Sequence, residues 1–232
     1  MFTASMRFDL GEDIHALQTL VHRFAQDQIK PLAGDVDRDN QFPVQLWKQL
    51  GDLGVLGVTV DEEFGGVGLG YLAHTVVIEE IARASASVSL SYGAHSNLCV
   101  NQISLNGTPE QKQKYLPGIL NGETIFACGY SEPSAGTDLA SLRTKAIKDG
   151  DEWIINGGKI YTSGANEADY VWLACRTDPE AKKHKGISLI IVPTNSTGFS
   201  WTPIATVGGV PTTSTYYDNV RVPAENLLGE IN

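Results

Sequence analysis

Apolar residues recur along the first half of the chain at helical spacing, and along the second half at the shorter rhythm of strands. Over 12–29, Ile14, Leu17, Leu20, Val21 and Phe24 make one helical stripe, and Pro31 is expected to close it. Pro43 suits the first turn of a second helix, with Leu46, Trp47, Leu50 and Leu53 on one side and Gly54 after it. Further helices are expected over 75–83 and 91–105. Thr108-Pro109-Glu110-Gln111 starts another: Thr108 and Gln111 can form a capping box, and Pro109 fits the first helical position. That helix should end near Leu120, with Gly122 as its C-terminal glycine.

After Glu123 the texture changes. β-rich runs at 124–130, 142–147, 153–155, 159–162, 170–175, 187–192, 199–203 and 213–222 are separated by turn signals. Asp149-Gly150 and Asn156-Gly157 are hairpin dipeptides, since both tolerate positive φ. Strands so spaced, without helices between them, predict an antiparallel barrel or sandwich. The expected fold class is α+β: an all-α helical domain over 1–123, then an antiparallel β-barrel or sandwich domain over 124–232.

Composition narrows the function. A net charge of −10 with no run of Lys and Arg disfavours nucleic acid. It leaves anionic ligands open, because helix N-termini and backbone N–H groups bind phosphate without net positive charge. Cys99, Cys128 and Cys175 are widely spaced and, like the five histidines, match no metal pattern. They read as free thiols in a reducing compartment. Met1-Phe2-Thr3-Ala4-Ser5-Met6-Arg7-Phe8-Asp9 has no apolar core of a signal peptide, and no stretch is long enough to span a bilayer. A cytoplasmic location is expected. Gly65-Gly66-Val67-Gly68-Leu69-Gly70 resembles a phosphate loop but lacks its Lys-Ser/Thr and its βαβ frame, so it reads as a flexible loop.

Two segments carry candidate chemistry. In Cys128-Gly129-Tyr130-Ser131-Glu132-Pro133-Ser134-Ala135-Gly136-Thr137-Asp138, Ser131 and Thr137 offer hydroxyls. Ser134, Ala135 and Gly136 are too small to hold a ligand off the backbone, and successive N–H groups there can form an anion nest. An ordinary polar strand exit is the plain alternative. The second segment is Lys159-Ile160-Tyr161-Thr162-Ser163-Gly164-Ala165, where Tyr161 reads on its own as a half-buried strand aromatic and Ser163 as a turn hydroxyl.

Together these segments resemble the acyl-CoA dehydrogenases. The family signature is met by Gly129, Ser131, Glu132, Ala135, Gly136, Thr137, Asp138 and Ser141, while Tyr130 stands where an aliphatic residue is usual. The resemblance implies FAD as cofactor, with Cys128, Gly129, Tyr130, Ser131, Gly136, Thr137, Tyr161, Thr162 and Ser163 around it. It also implies Thr137 on the CoA arm of an acyl-CoA substrate, and His184 and Lys185 near the CoA phosphates. Lys182, Lys183 and Lys185 form the one basic cluster, which is otherwise a solvated loop. Ser91-Tyr92-Gly93-Ala94-His95-Ser96-Asn97-Leu98-Cys99 is similar to short branched-chain (isovaleryl-type) members. Residues 170–180, 185–192 and 216–229 are closer to bacterial members acting on bulky, including steroid side-chain, acyl-CoAs.

The implied reaction removes an α-proton by a base while the β-hydrogen leaves as hydride to the flavin, giving a trans-2-enoyl-CoA. An electron-transfer flavoprotein would then reoxidise the flavin, and a homo-oligomer is implied for the full-length form. The family's catalytic glutamate lies in a C-terminal helical domain, which is expected to be missing here. Glu79, Glu80 and Glu132 are poor substitutes, the first two as helix surface charges and Glu132 as part of the flavin loop. No residue of this chain is expected to be the base. Three readings follow: a truncated dehydrogenase lacking that glutamate, a non-catalytic flavin- and CoA-binding subunit needing a partner chain, or an acyl-CoA oxidase-like relative.

Overall fold

A computed structural model describes residues 9–206 and 212–231. The N-terminal residues read above for a leader lie, up to Phe8, outside that set.

The stripe of the first helix forms α1 (Glu12–Phe24) and buries Ile14 and Val21. Pro31 does not close it. Its missing N–H and its ring, which crowds the carbonyl four residues back, are accommodated by a wide turn, Ala25–Ile29, and a tight one, Lys30–Leu32. The chain then coils on as α2 (Ala33–Asp39). Helix α3 (Gln45–Asp52) buries Leu46, Trp47 and Leu50, and Gly54 follows in the left-handed conformation. Helix α4 (Gly70–Ala84) precedes α5 (Ala86–Gly93), which Ser85 caps through the Val88 N–H. A wide turn, Ala94–Val100, carries that helix into α6 (Asn101–Asn106). Helix α7 (Pro109–Leu120) has the expected capping box, with Gln111 N–H to Thr108 Oγ1 at 3.2 Å and Thr108 N–H to Gln111 Oε1 at 3.0 Å.

The glycine-rich stretch at 65–70 is a loop, as expected, up to the first residue of α4, and its backbone is bonded within the chain. The N–H groups of Gly66, Val67, Gly68 and Leu69 donate to the carbonyls of Asp61, Gly57, Val60 and Val58. A Cβ at Gly66 would stand 2.0 Å from the Val60 carbonyl oxygen, so only glycine fits. With those donors used, the loop holds no phosphate.

Among the described residues the second half is one eight-stranded sheet, ordered β6-β7-β3-β2-β4-β5-β8, with β1 off that path and paired to β4. Its strands are β1 (Phe126–Gly129), β2 (Lys145–Asp149), β3 (Glu152–Lys159), β4 (Tyr170–Arg176), β5 (Ile187–Pro193), β6 (Phe199–Ile204), β7 (Thr212–Pro223) and β8 (Leu227–Leu228). Most pairs are antiparallel, but β1 and β2 both run parallel to β4. Asp149-Gly150 turns β2 into β3 as expected. Asn156-Gly157 does not turn. β3 runs through it as one strand, with a bulge between Ile155 and Gly157, and 160–162 are not a separate strand. Crowding explains the glycine: a Cβ at Gly157 would meet Thr144 Oγ1 at 2.5 Å.

Period-two alternation splits the apolar runs between two cores. Val171, Leu173 and Cys175 of β4, with Ile190 and Val192 of β5, pack inside the sheet against Trp153 and Ile155. Trp172 and Ile191 face the other way, onto Cys99, Val100, Ile103, Leu116 and Ile119 of the helices. Burial of such side chains contributes about 1.5–3 kcal/mol each. Gln111 adds a clasp, its Nε2 donating to the carbonyls of Glu225 and Leu227 at 2.7 Å each.

Candidate functional site

Strand β1 delivers the first segment. Gly129 passes so close to β4 that a Cβ would lie 2.8 Å from Val171 Cγ1, and the stem of Lys159 runs alongside. Burial pushes the half-buried Cys128 thiol up to about 12, so it stays protonated. Tyr130 has a reason for being aromatic: its phenol oxygen accepts a hydrogen bond from Trp172 Nε1 at 2.7 Å, and burial pushes the phenol's pKa up. Beyond Ser131 the chain folds on itself, Glu132 and Ala135 exchanging two backbone hydrogen bonds of 3.0 Å. Gly136, Thr137 and Asp138 then lie exposed.

The second segment leaves the end of β3 and meets the first at once, for the Ile160 N–H donates to the Ser131 carbonyl at 2.9 Å. Thr162 is buried and pinned to β7: its N–H donates to the Thr213 carbonyl at 2.9 Å, and Thr213 Oγ1 donates to its own carbonyl at 2.6 Å. Between those anchors Tyr161 is held at φ 61° with its ring 63% exposed. That left-handed conformation costs a bulky residue about 1–3 kcal/mol. The exposed Ser163 shares a 3.0 Å hydrogen bond with the Thr212 hydroxyl.

Beneath both segments lies a buried ion pair. Lys159 Nζ stands 2.9 Å from Glu132 Oε1 and donates to the Tyr130 carbonyl at 3.0 Å, with both side chains at most 5% exposed. The Glu132 carboxylate also accepts the backbone N–H groups of Arg143 and Thr144, at 2.7 and 2.8 Å. Burial pushes the carboxyl up, but these hydrogen bonds outweigh it and hold it below the usual carboxylate range. Burial lowers the Lys159 ammonium. Sequence reading passed over Lys159, although it falls on the buried parity of Trp153 and Ile155.

His184 and Lys185 lie in an exposed loop. Arg176, also unanticipated, fastens that loop to the chain just past the first segment. Its Nη1 donates to the Lys183 and Lys185 carbonyls at 2.5 and 3.1 Å, and its Nη2 to the Ala140 carbonyl at 2.7 Å. The basic loop is thus tied to the chain three residues beyond Thr137, without touching it. The other two carboxylates are occupied elsewhere. Glu79 pairs with Arg83, whereas Glu80 is no surface charge: it is buried and accepts from Gln18 Nε2 and bonds His22 Nδ1, both at 2.8 Å.

The donors left over are the useful ones. Among the described residues, the N–H groups of Gly136 and Thr137 and the hydroxyls of Ser131, Ser134, Thr137 and Tyr161 have no protein partner. They suit a polar ring edge and an anionic arm. Away from this surface, Leu90, Leu98 and Leu105 on α5, the wide turn and α6 are 73%, 44% and 61% exposed. No helix among the described residues is long and apolar enough to cross a membrane.

Comparison with known proteins gives the same orientation. Residues 11–123 match the family model for the acyl-CoA dehydrogenase N-terminal domain, and residues 127–220 that for the middle domain. Isovaleryl-CoA dehydrogenase, mitochondrial, of Pongo abelii is 44% identical over 229 residues, covering 96% of this chain and 54% of that protein. Acyl-CoA dehydrogenase FadE29 of Mycobacterium tuberculosis is 43% identical over 234 residues, covering 98% of this chain and 59% of that one. A solved glutaryl-CoA dehydrogenase from Mycobacterium smegmatis in complex with FADH2 superimposes with a TM-score of 0.86 at 29% identity, over 95% of this chain and 56% of that one. The chain spans little more than half the length of the relatives it matches. Matched by two successive domain models of one family, and 44% identical to one of its members along nearly its whole length, this chain belongs to the acyl-CoA dehydrogenase family.

Proposed function

We propose that the two adjoining segments hold FAD and the CoA arm of an acyl-CoA, and that the chain serves the α,β-dehydrogenation of that thioester to a trans-2-enoyl-CoA. The observation that carries this reading is the set of partnerless donors beside an exposed aromatic. Nothing lies within 4 Å of where a Cβ would stand at Gly136, so a flat ligand can reach that backbone. Bound FAD supplies the two-electron acceptor for the β-hydrogen. Ser131 and the Gly136 and Thr137 N–H groups would donate to its polar edge, with Tyr161 as a wall and Ser163 and Thr162 beside it. Cys128, Gly129 and Tyr130 shape the floor. The Thr137 hydroxyl would meet the CoA arm, and His184 and Lys185, held by Arg176, its phosphates.

Glu79, Glu80 and Glu132 are all engaged, so the reading assigns removal of the α-proton to none of these three. An electron-transfer flavoprotein as acceptor, homo-oligomeric assembly, a cytoplasmic location and a domain boundary at residue 123 belong to the same proposal. A second reading, a flavin- and CoA-binding subunit completed by a partner chain, is favoured by the exposed Leu90, Leu98 and Leu105.

The test is to mix the purified chain with FAD, remove free cofactor, and record the flavin spectrum before and after anaerobic isovaleryl-CoA and a bulkier acyl-CoA. Retained flavin is the expected result. Bleaching would place the base within the chain, and retained but unbleached flavin fits a base supplied from elsewhere. Absence of retained flavin would overturn the proposal.

A further inference from the structure

Within the sheet the Lys159 side chain is fully buried, its stem passing Gly129 where that residue crowds Val171 and Leu173 of β4. A buried ion pair is a poor way to stabilise such a place, because desolvating each charge costs several kcal/mol and an apolar pair of like volume does as well. The pair does, however, make contacts that an apolar pair cannot. Lys159 Nζ holds the Tyr130 carbonyl at the exit of β1, and Glu132 holds the Arg143 and Thr144 N–H groups at the entrance to β2. One residue after Lys159, the Ile160 N–H takes the Ser131 carbonyl. Four chain directions therefore meet at one ion pair: the exit of β1, the folded turn, the entrance of β2 and the end of β3.

From this geometry we infer that Glu132 and Lys159 are positioning residues, a buried clamp that fixes the segments 131–138 and 160–163 in a single register and so presents Ser131, Gly136, Thr137 and Tyr161 as one surface. The inference rests on the flavin reading for its purpose but not for its test.

The experiment compares the chain with Lys159→Met, Glu132→Gln, the double variant carrying both, and Lys159→Arg. Amide hydrogen exchange and thermal unfolding are followed without cofactor, and FAD binding is titrated separately. In the double variant no charge is left unpaired, so its unfolding temperature should return towards that of the parent. Exchange at Arg143, Thr144 and Ile160 should nevertheless be about tenfold faster than in the parent, with α7 unchanged. FAD should bind about tenfold more weakly, and Lys159→Arg should recover most of both effects. A double variant with parental exchange at those three amides would overturn the inference, leaving the pair a matter of stability alone. If the parent binds no FAD, the flavin reading fails, while the exchange result still decides the clamp.

Discussion

Residues 65–70 and 131–138 are both rich in small residues, and both offer runs of backbone N–H groups that look able to cradle an anion. Their structures part company over where those donors go. The first stretch spends them on Asp61, Gly57, Val60 and Val58. The second closes only Glu132 onto Ala135 and leaves Gly136 and Thr137 facing out. Glycine content therefore says little about ligand binding; the destination of each N–H says much. A closed loop is held by its own backbone, whereas an open one must be held by something else, and here that is a carboxylate and an ammonium beneath it.

The largest expected effect tests that support. Lys159→Met leaves Glu132 buried without its partner and should cost about 3–5 kcal/mol in urea unfolding, against little for the neutral double variant. Next comes a pair of matched substitutions. Gly66→Ala forces a Cβ against the Val60 carbonyl and should cost about 3 kcal/mol. Gly136→Ala meets nothing and should stay within about 0.5 kcal/mol of the parent while weakening FAD binding. Equal losses at the two glycines would erase the distinction.

Acid sharpens it further. Glu132 has a lowered folded pKa, so the stability it contributes is present above its ordinary value of 4.5 and is lost as pH falls through the folded value. Below that point, hydrogen exchange should rise at 131–144 before it rises at 65–70, whose bonds involve no titrating group. A global slope underlies this local one. Burial holds His95 down to about 4 against an ordinary 6.5, so between those values the unfolded chain binds an extra proton. Stability should fall by about 3 kcal/mol across that window, and His95→Gln should flatten the fall. A last, modest effect of opposite sign is that of Tyr161→Gly. It relieves a left-handed φ of 61° and, the ring being exposed, should raise stability by about 1 kcal/mol while weakening flavin binding.

What the sequence made legible was local. Thr108 and Gln111 stand one helical turn apart, so their capping box could be read directly, as could the Asp149-Gly150 turn. Asn156-Gly157 carries the same kind of local signal as Asp149-Gly150, yet it became a bulge, because its glycine answers to Thr144 on the neighbouring strand. Pro31 was misread for a similar reason: neighbouring turns widened and tightened to keep the helix going. In the candidate site the exposed residues were visible as a motif, but their supports were not. Lys159 finds Glu132, and Arg176 finds Ala140 and Lys185, across separations that only the folded sheet closes.

The parallel pairing of β1 with β4 sets a timetable for this surface. Phe126–Gly129 has no strand to lie against until Tyr170–Leu173 has been made, and residues 131–163 sit inside the loop which that pairing closes. On the ribosome, helices α1 to α7 can begin to coil as they emerge, since their bonds are short-range. The donor-bearing surface must wait for β4. Its birth waits on that strand and on β7 after it, which pins Thr162, and not only on the residues that would touch a ligand.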